Sequence, residues 1–268
     1  MIFYMNQVIS ALQFGLVWML ICGATFTLFA VLMPGNTQQK ILRKGLLPDI
    51  GYWFLCHSLY SQMLTWIIAG LVFVFIHDSA RWGTFMTHGF GVFSGLSIFA
   101  QLVIVFIVYD LMQYGTHRLF HQKLLWNFHA IHHSSVDLDW LSGTRFHPFN
   151  LFIHSVMVGM IVFFLGFDPL VFVIIGPFNI FYSALVHSNV NWTFGPLRYI
   201  VASPVYHRWH HTSPAEGGEK NFAPTFPVID YIFGTFYMPK GEFPTKFGVL
   251  DPVPKTLYGQ LVYPFRKS

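Results

Sequence analysis

Residues 92–133 decide how this chain folds, and they read VFSGLSIFAQLVIVFIVYDLMQYGTHRLFHQKLLWNFHAIHH. The segment opens with an apolar run at residues 92–108, long enough to cross about 30 Å of hydrocarbon as a helix. Five histidines follow within residues 117–133. An apolar run followed directly by clustered histidines predicts a membrane helix with polar chemistry placed just outside the hydrocarbon.

The composition of the whole chain agrees with a membrane protein. Of its 268 residues, 54% are hydrophobic and only 10% are charged, with a mean hydropathy of +0.52, whereas soluble domains carry about a quarter charged residues. The net charge of +4 is spread over loops without a basic run, so nucleic acid is not an expected partner. Cys22 and Cys56 are too few for a disulfide framework or a thiolate metal site.

Two further apolar runs occupy residues 8–33 and 54–76, and a longer one occupies residues 151–186. Glycine and proline at residues 166–169 interrupt the longer run and predict two helices folded into a hairpin. The expected fold is therefore all-α, a polytopic membrane helix bundle of three long spans plus a helical hairpin with a histidine-rich cap. We divide the chain into N-terminal transmembrane helices (1–108) and a histidine-containing region (109–268) that includes the hairpin and the cap.

The basic residues predict how the bundle is oriented. Lys40, Arg43 and Lys44 follow the first span, whereas the loop between the second and third spans has only Arg81. With the N-terminus outside, 14 of the 15 basic residues lie inside, as the positive-inside rule requires. The histidine-rich cap is then expected on the cytoplasmic face.

Histidine spacing is the main chemical signal in the sequence. Residues three and four apart share one face of a helix, so each cluster can aim two or three imidazoles at one point. Ser203 and Pro204 predict the N-cap and first turn of the helix with the last cluster, and Pro214 limits its length. The clusters are His117 and His121; His129, His132 and His133; and His207, His210 and His211.

These clusters indicate metal binding. A shuffled chain of this composition would contain roughly 0.04 H-x-x-H-H motifs, yet two are present. Eight or more imidazoles are too many for one metal ion, so two ions are expected. Imidazole suits Fe, Cu, Zn and Ni, and the ligands alone do not choose among them. The motifs of zinc proteases, serine hydrolases and soluble di-iron carboxylate bundles are absent from the sequence.

At this point the motifs resemble those of the fatty acid hydroxylase / sterol desaturase superfamily. The segment Arg145-Phe146-His147-Pro148 and the later Asn221, Asp230 and Phe233-Gly234-Thr235 agree with that resemblance, which covers roughly residues 48–238. It implies two iron ions as cofactors. It also implies that His187 is a ligand, and that His147 is either a ligand or a structural residue. The implied ligands are His117, His121, His129, His132, His133, His187, His207, His210 and His211.

Other polar residues have two possible roles at this stage. Asp110 lies two helical turns before His117 and either hydrogen-bonds a ligating imidazole or is an ordinary helix-end charge. Some relatives have a second histidine shortly after the position of His187, where this chain has Asn189 and Asn191 instead, so either could hold a water on a metal or be an ordinary loop residue. Asn150 replaces an acidic residue that relatives often carry.

The remaining histidines are expected to have different roles. His154 can face the site, whereas ordinary roles are expected for His57, His77 and His88.

The resemblance implies an enzyme that uses O2 and two electrons to hydroxylate or desaturate an aliphatic carbon of a lipid taken from the bilayer. The electrons would come from a separate cytochrome or ferredoxin, since no haem, flavin or nicotinamide motif occurs. One alternative is a carotenoid or ether-lipid oxygenase. Another is a membrane metal-binding or transport protein, although transporters place their ligands at the bilayer midplane. The C-terminal PFRKS has no retention signal, which favours a bacterial inner membrane over the endoplasmic reticulum.

Overall fold

The computed structural model describes residues 2–75, 83, 89, 91–213 and 215–266. This part of the chain is helical, without a β-strand and with one isolated bridge between Pro34 and Val190. The expectations for the His57 side chain, His77, Arg81, His88 and Pro214 lie outside the described residues. The helices are α1 (Ile2–Leu32), α2 (Leu46–Phe75), α3 (Ile98–Phe120), α4 (Lys123–His133), α5 (Pro148–Leu165), α6 (Pro169–His187), α7 (Pro204–His210), α8 (Pro227–Ile232) and α9 (Leu257–Val262).

Three helices in the described part are long and apolar enough to cross a membrane. The qualifying stretches are Val8–Leu32 in α1, Ile98–Phe120, which is α3, and Pro169–His187, which is α6. The predicted run at residues 54–76 lies in α2, whose described residues give two shorter apolar stretches, Leu46–Cys56 and Gln62–Leu71. The predicted all-α membrane bundle is confirmed by these helices.

Helix α3 starts later and ends later than the apolar run predicts. Residues 91–96 form turns, and Ser97 is the N-cap, its hydroxyl accepting a hydrogen bond from the backbone N–H of Ala100 at 3.3 Å. A serine in this position satisfies one of the free N–H groups of the first turn, which is why the helix begins there. Because α3 continues past residue 108 to Phe120, one helix carries both the apolar span and His117. The division at residue 108 stays a prediction.

The predicted hairpin is present as α5 and α6. Gly166 joins them with a φ of 60°, in the left-handed region that favours glycine. Asp168 then caps α6 by accepting a hydrogen bond from the N–H of Leu170 at 2.8 Å. The buried Gln101 of α3 accepts the N–H of Asp168 at 2.8 Å, which attaches the hairpin tip to the start of α3.

The bundle packs through two apolar clusters. One joins α3 to the hairpin and includes Val105, Met157 and Val171. The other joins α1, α2 and α6 and includes Phe26 and Trp53. Within a bilayer such clusters act by close packing, since lipid tails are as apolar as the side chains they replace. The result holds the ends of α3 and α6 next to each other.

A buried ionic network fixes the loop that approaches the end of α6. Asp49, at the start of α2, pairs with both Arg43 (2.7 Å) and Arg145. Arg43 also pairs with Asp139 at 2.5 Å. Since a charge can be buried only when it is paired and hydrogen-bonded, this network connects the loop after α1 to the loop of residues 139–145.

Candidate metal centre

Four helices deliver the predicted ligands to one place. His117 lies in the last turn of α3, and His121 is its C-cap. Helix α4 contributes the second cluster from its last two turns, and His187 is the final residue of α6. Ser203 caps α7, as predicted, by accepting a hydrogen bond from the N–H of Tyr206 at 3.1 Å. The third cluster follows directly from that cap.

The nine imidazoles separate into two groups, and within each group the possible ligand atoms all lie within 4.8 Å of one another. The second histidine motif is split between the groups, so neighbouring residues of one helix turn serve different groups. The first group is His117, His121, His129, His133 and His210, and the second is His132, His187, His207 and His211.

In the first group, one nitrogen of each ring is available for a metal. The Nε2 atoms of all five rings are buried and have no hydrogen-bond partner among the described residues. The opposite nitrogens of His117 and His210 donate to the carbonyl oxygens of Phe222 (2.8 Å) and Lys220 (2.7 Å). Such hydrogen bonds set the tautomer and the ring orientation that a metal ligand needs. The set therefore fits a metal ion.

The second group also fits a metal ion. Nε2 of His207 lies 3.0 Å from Nε2 of His187 and 3.2 Å from Nε2 of His211, and His187 lies 3.4 Å from His132 by the same atoms. One hydrogen atom can bridge only one pair of these nitrogens, so the four Nε2 atoms cannot all be satisfied by hydrogen bonds to one another. Nδ1 of His187 donates to the carbonyl oxygen of Ser183 at 2.7 Å, which leaves Nε2 as the ligand atom.

Electrostatics favours neutral imidazoles in both groups. Burial, followed by the neighbouring imidazoles, lowers the pKa of His129 and His133 well below the usual 6.5. The same causes lower the pKa of His207 and His211. Metal binding requires the neutral ring, so these side chains are ready as ligands at neutral pH.

A cavity of about 300 Å³ lies against both groups, between the membrane helices. His117 and His129 line it from the first group, and His132, His187 and His207 line it from the second. Most of the remaining wall is apolar or aromatic, including Trp53, Phe120, Trp140, Phe146, Leu151, Ile153, Ile180 and Val186.

A family model described as fatty acid hydroxylase matches residues 102–235, half of the chain. The chain belongs to the fatty acid hydroxylase family. The predicted resemblance is thereby confirmed, and the matched segment includes every residue of the two imidazole groups.

Curated relatives of this family have lipid-directed names. Ornithine lipid hydroxylase OlsE of Rhizobium tropici is 36% identical over 170 residues, covering 63% of this chain and 51% of that protein. Alkylglycerol monooxygenase of Homo sapiens is 30% identical over 132 residues, covering 49% and 29%. Methylsterol monooxygenase 1-3 of Arabidopsis thaliana is 24% identical over 217 residues, covering 79% and 73%. The chain thus spans about half the length, or less, of the first two. No solved structure matches it.

In this member of the family, two buried carboxylates hold the loop that orients the first group. Asp230 accepts the backbone N–H groups of Phe222 (2.8 Å) and Ala223 (2.7 Å). Asp110 accepts those of Thr225 (2.9 Å) and Phe226 (2.8 Å). Of the two roles considered for Asp110, neither matches these contacts: among the described residues its carboxylate accepts from this loop and from no imidazole, and Asp110 lies within α3 rather than at a helix end. Its carboxylate satisfies backbone donors that would otherwise be buried without partners.

His147 lies outside both groups, so it is not placed as a ligand. One ring nitrogen lies 3.0 Å from the carbonyl oxygen of Leu261, and the other accepts the N–H of Phe149 at 3.0 Å. The ring thus serves the first turn of α5, whose backbone donors lack helical partners. Its structural role is the alternative that the geometry favours.

Asparagines near the site divide by position. Asn189 is engaged with Asn36, accepting its N–H at 2.8 Å and donating to its carbonyl oxygen at 3.0 Å. Asn191 donates to the carbonyl oxygen of Gly35 at 3.3 Å. Both amides therefore hold the loop after α1, and the role of ordinary loop residues is the one that these contacts favour. Asn150, in contrast, lies 3.4 Å from Nδ1 of His129, so an amide contacts this ring at the position where relatives often carry an acidic residue.

Three features of the site have no counterpart among the sequence-based predictions. Gly143 packs against the ring of His187, and an added Cβ would lie 2.5 Å from its Cγ. The carbonyl oxygens of Phe222, Lys220 and Ser183 orient three rings, yet backbone groups have no sequence signature. Tyr109 and Gln113 also line the cavity, and their positions eight and four residues before His117 are the signal that could have revealed them.

Proposed function

We propose that this chain is a membrane di-iron oxygenase that hydroxylates or desaturates an aliphatic carbon of a lipid, using O2 and two electrons. The observation that carries the proposal is the pair of adjoining imidazole groups that share one largely apolar cavity. A molecule in that cavity would contact both groups. Two irons are proposed because groups of five and four imidazoles each match the usual ligand number of about four to six.

Iron bound there would supply O2 activation and removal of hydrogen from a C–H bond. The residues of the chain supply placement. Carbonyl oxygens hold the rings of His117, His210 and His187, and the surrounding burial excludes water from the reacting carbon. The apolar walls position a hydrocarbon chain against both groups, and such positioning accounts for much of enzymatic rate enhancement.

The substrate class follows from the cavity and the relatives. An apolar cavity between membrane helices suits a lipid chain that enters from the bilayer. The names of the relatives point to ornithine lipids, alkylglycerols and sterols. An ether lipid is the alternative that these names support most directly, because several relatives are alkylglycerol monooxygenases.

The first experiment measures metal in the purified full chain. We expect about two irons per chain, with a marked loss in both His132→Ala and His210→Ala, because each variant disrupts a different group. His147→Ala is the matched control, since it removes an imidazole outside both groups and is expected to keep the full metal content. The iron-loaded protein should add one oxygen atom to a lipid, or remove two hydrogens from it, when given O2 and a reductant.

Each part of that result is decisive. A wild-type chain purified without bound metal would contradict the oxygenase proposal. Tightly bound metal without any oxidised lipid, over bacterial polar lipids, alkylglycerols and sterols, would instead favour the metal-binding or transport alternative.

We also propose that the histidine side of the bundle faces the cytoplasm of a bacterial inner membrane, because this orientation puts 14 of 15 basic residues inside. Both natural cysteines are buried, so single introduced cysteines can report the topology. Leu250→Cys, on the cap, should resist a membrane-impermeant maleimide in intact spheroplasts, whereas Val92→Cys, before α3, should react. The opposite labelling pattern would reverse the proposed orientation.

The electron donor is proposed to be an acidic cytochrome or ferredoxin. A second cavity, of about 410 Å³, is lined by His121 of the first group together with Arg118, Lys123, Lys220 and Glu219. Three cations beside one anion favour an acidic partner by electrostatic steering. Because this cavity is lined by His121, a proposed ligand, a donor bound there would have a short path for electrons to the first imidazole group.

Charge reversal tests this docking surface. Lys123→Glu should lower turnover supported by the protein donor several-fold and weaken its salt dependence, while turnover with a small chemical reductant stays at the wild-type level. Lys255→Glu, an exposed lysine outside this cavity, is the control and should change neither rate. Equal effects of the two variants would contradict docking at the cavity.

A further inference from the structure

Three of the polar side chains that line the cavity lie outside the two imidazole groups and contact one another. Tyr109 and Gln113 lie on α3, and His154 lies on α5 opposite them. The hydroxyl of Tyr109 lies 3.0 Å from Nε2 of His154, and Nε2 of Gln113 lies 3.0 Å from the same atom. Nε2 of Gln113 also lies 3.1 Å from the hydroxyl of Tyr109. We call these residues the polar triad.

The triad has more hydrogen-bond donors than it can use internally. The hydroxyl of Tyr109 and the amide of Gln113 both approach one imidazole nitrogen, which has a single lone pair. Together they carry three donor hydrogens. One can go from Gln113 to Tyr109 and one can go to His154, so one hydrogen is left without an acceptor inside the triad.

The position of the triad relates it to the proposed metals. Gln113 precedes His117 by four residues and Tyr109 precedes His117 by eight. Tyr109, Gln113 and His117 therefore lie along one face of α3. The helical rise places Gln113 about 6 Å and Tyr109 about 12 Å further into the membrane than His117. A buried donor in an apolar cavity strongly favours a ligand that offers an acceptor at that depth.

From these observations we propose that the polar triad binds a hydrogen-bond-accepting oxygen of the lipid substrate, such as an ester, amide or ether oxygen, within the cavity. The inference rests on the proposed function for the identity of the cavity as a substrate site. The triad then acts as a specificity-determining site. It sets the distance between that oxygen and the carbon presented to the two imidazole groups.

The test compares two probes of equal chain length, methyl decanoate and n-dodecane. The purified full chain in detergent is equilibrated with radiolabelled methyl decanoate under argon, so that turnover cannot contribute. Unlabelled ester and unlabelled alkane then displace the label. The ratio of the two half-displacing mole fractions measures the preference for the ester, and partition into the detergent cancels when variants are compared.

We expect the wild-type chain to prefer the ester by roughly twofold to tenfold, the value of one buried hydrogen bond. Gln113→Met has a similar shape but leaves Tyr109 with a single hydrogen for the single lone pair of His154, so the preference should fall to near one. Tyr182→Phe removes another hydroxyl that lines the cavity but is used by the carbonyl oxygen of Ala202, and it should keep the wild-type ratio.

Displacement by dodecane in Gln113→Met reports whether the cavity is still formed. If that variant is too unstable to purify, the double variant Gln113→Met/Tyr109→Phe, which lacks all three donor hydrogens, replaces it. A wild-type chain without ester preference would overturn the inference, as would a Gln113→Met chain that keeps it. Because the assay needs neither iron nor O2, its failure is distinct from a failure of the oxygenase proposal.

Discussion

At Gly143 the backbone passes so close to the imidazole of His187 that there is no room for a side chain. An added Cβ would lie 2.5 Å from Cγ and 2.7 Å from Nδ1 of that ring. The loop itself is held by the ionic network of Asp49 and Arg145, so neither neighbour can move away easily. The lack of a side chain at Gly143 thus leaves room for the ring of His187, one of the proposed ligands.

We predict that Gly143→Ala disturbs the second imidazole group. The methyl group must displace His187 or the loop, at a cost of about 1–3 kcal/mol for overpacking, and metal content should fall with thermal stability. Gly115→Ala is the matched control, because an added Cβ there meets no atom within 4 Å. Alanine suits a helix better than glycine, so this control should be as stable as the wild type or more stable. Wild-type metal content in Gly143→Ala would contradict the prediction.

At the scale of elements, the short α7 and the loop that follows it depend on each other. The hydroxyl of Tyr206 in α7 donates a hydrogen bond to Asp230 at 2.5 Å, and Asp230 also accepts a hydrogen bond from the backbone N–H of Phe222. The carbonyl oxygen of Phe222 in turn orients His117 of α3. Three elements are therefore joined through one carboxylate, and Asp110 fixes the far end of the same loop.

Asp110→Asn tests the corrected role of Asp110. An amide can accept one of the two backbone N–H groups but places its own N–H against the other. An unsatisfied buried donor costs about 1–3 kcal/mol, so the melting temperature should fall. Asp137→Asn, which alters a carboxylate outside both imidazole groups, should melt as the wild type does. An unchanged melting temperature in Asp110→Asn would contradict the role of this carboxylate in holding the loop.

The whole molecule contains an unusual number of buried neutral imidazoles, and this has a consequence for its acid stability. Burial, followed by neighbouring imidazoles, lowers the pKa well below 6.5 for rings outside the membrane-spanning segments. In the unfolded chain the same rings have their usual pKa of 6.5. These rings are His121, His129, His132, His133, His207, His210 and His211.

We predict that the metal-free chain loses stability as the pH falls below about 6.5. Below that pH the unfolded state binds more protons than the folded state, so the free energy of unfolding decreases on acidification. Each ring contributes up to about 1.4 kcal/mol per pH unit. Melting temperatures of chelator-treated protein between pH 8 and pH 5 measure the effect. His129→Phe removes one titrating ring and should give a shallower slope, whereas a flat profile in the wild type would refute the prediction.

The sequence by itself determined the class of protein and the membership of the proposed ligand set. Low charge and long apolar runs are properties of composition, and the spacing of three or four residues places histidines on one face of any helix. These signals are local, which is why eight of the nine proposed ligands could be named from their spacing, whereas His187 was implied only by the family resemblance. The cap of α7 is equally local, because Ser203 and Pro204 are adjacent to the turn they begin.

Only the tertiary structure decided how those residues are shared out and what surrounds them. His132 and His133 are adjacent in the chain but belong to different groups. Asp110 was placed two turns from His117 along α3, yet its carboxylate meets a loop more than a hundred residues away. His147 lies within a family motif but serves the start of α5. Each outcome depends on contacts between distant segments and on backbone carbonyls that every residue carries, and neither leaves a pattern in the order of the amino acids.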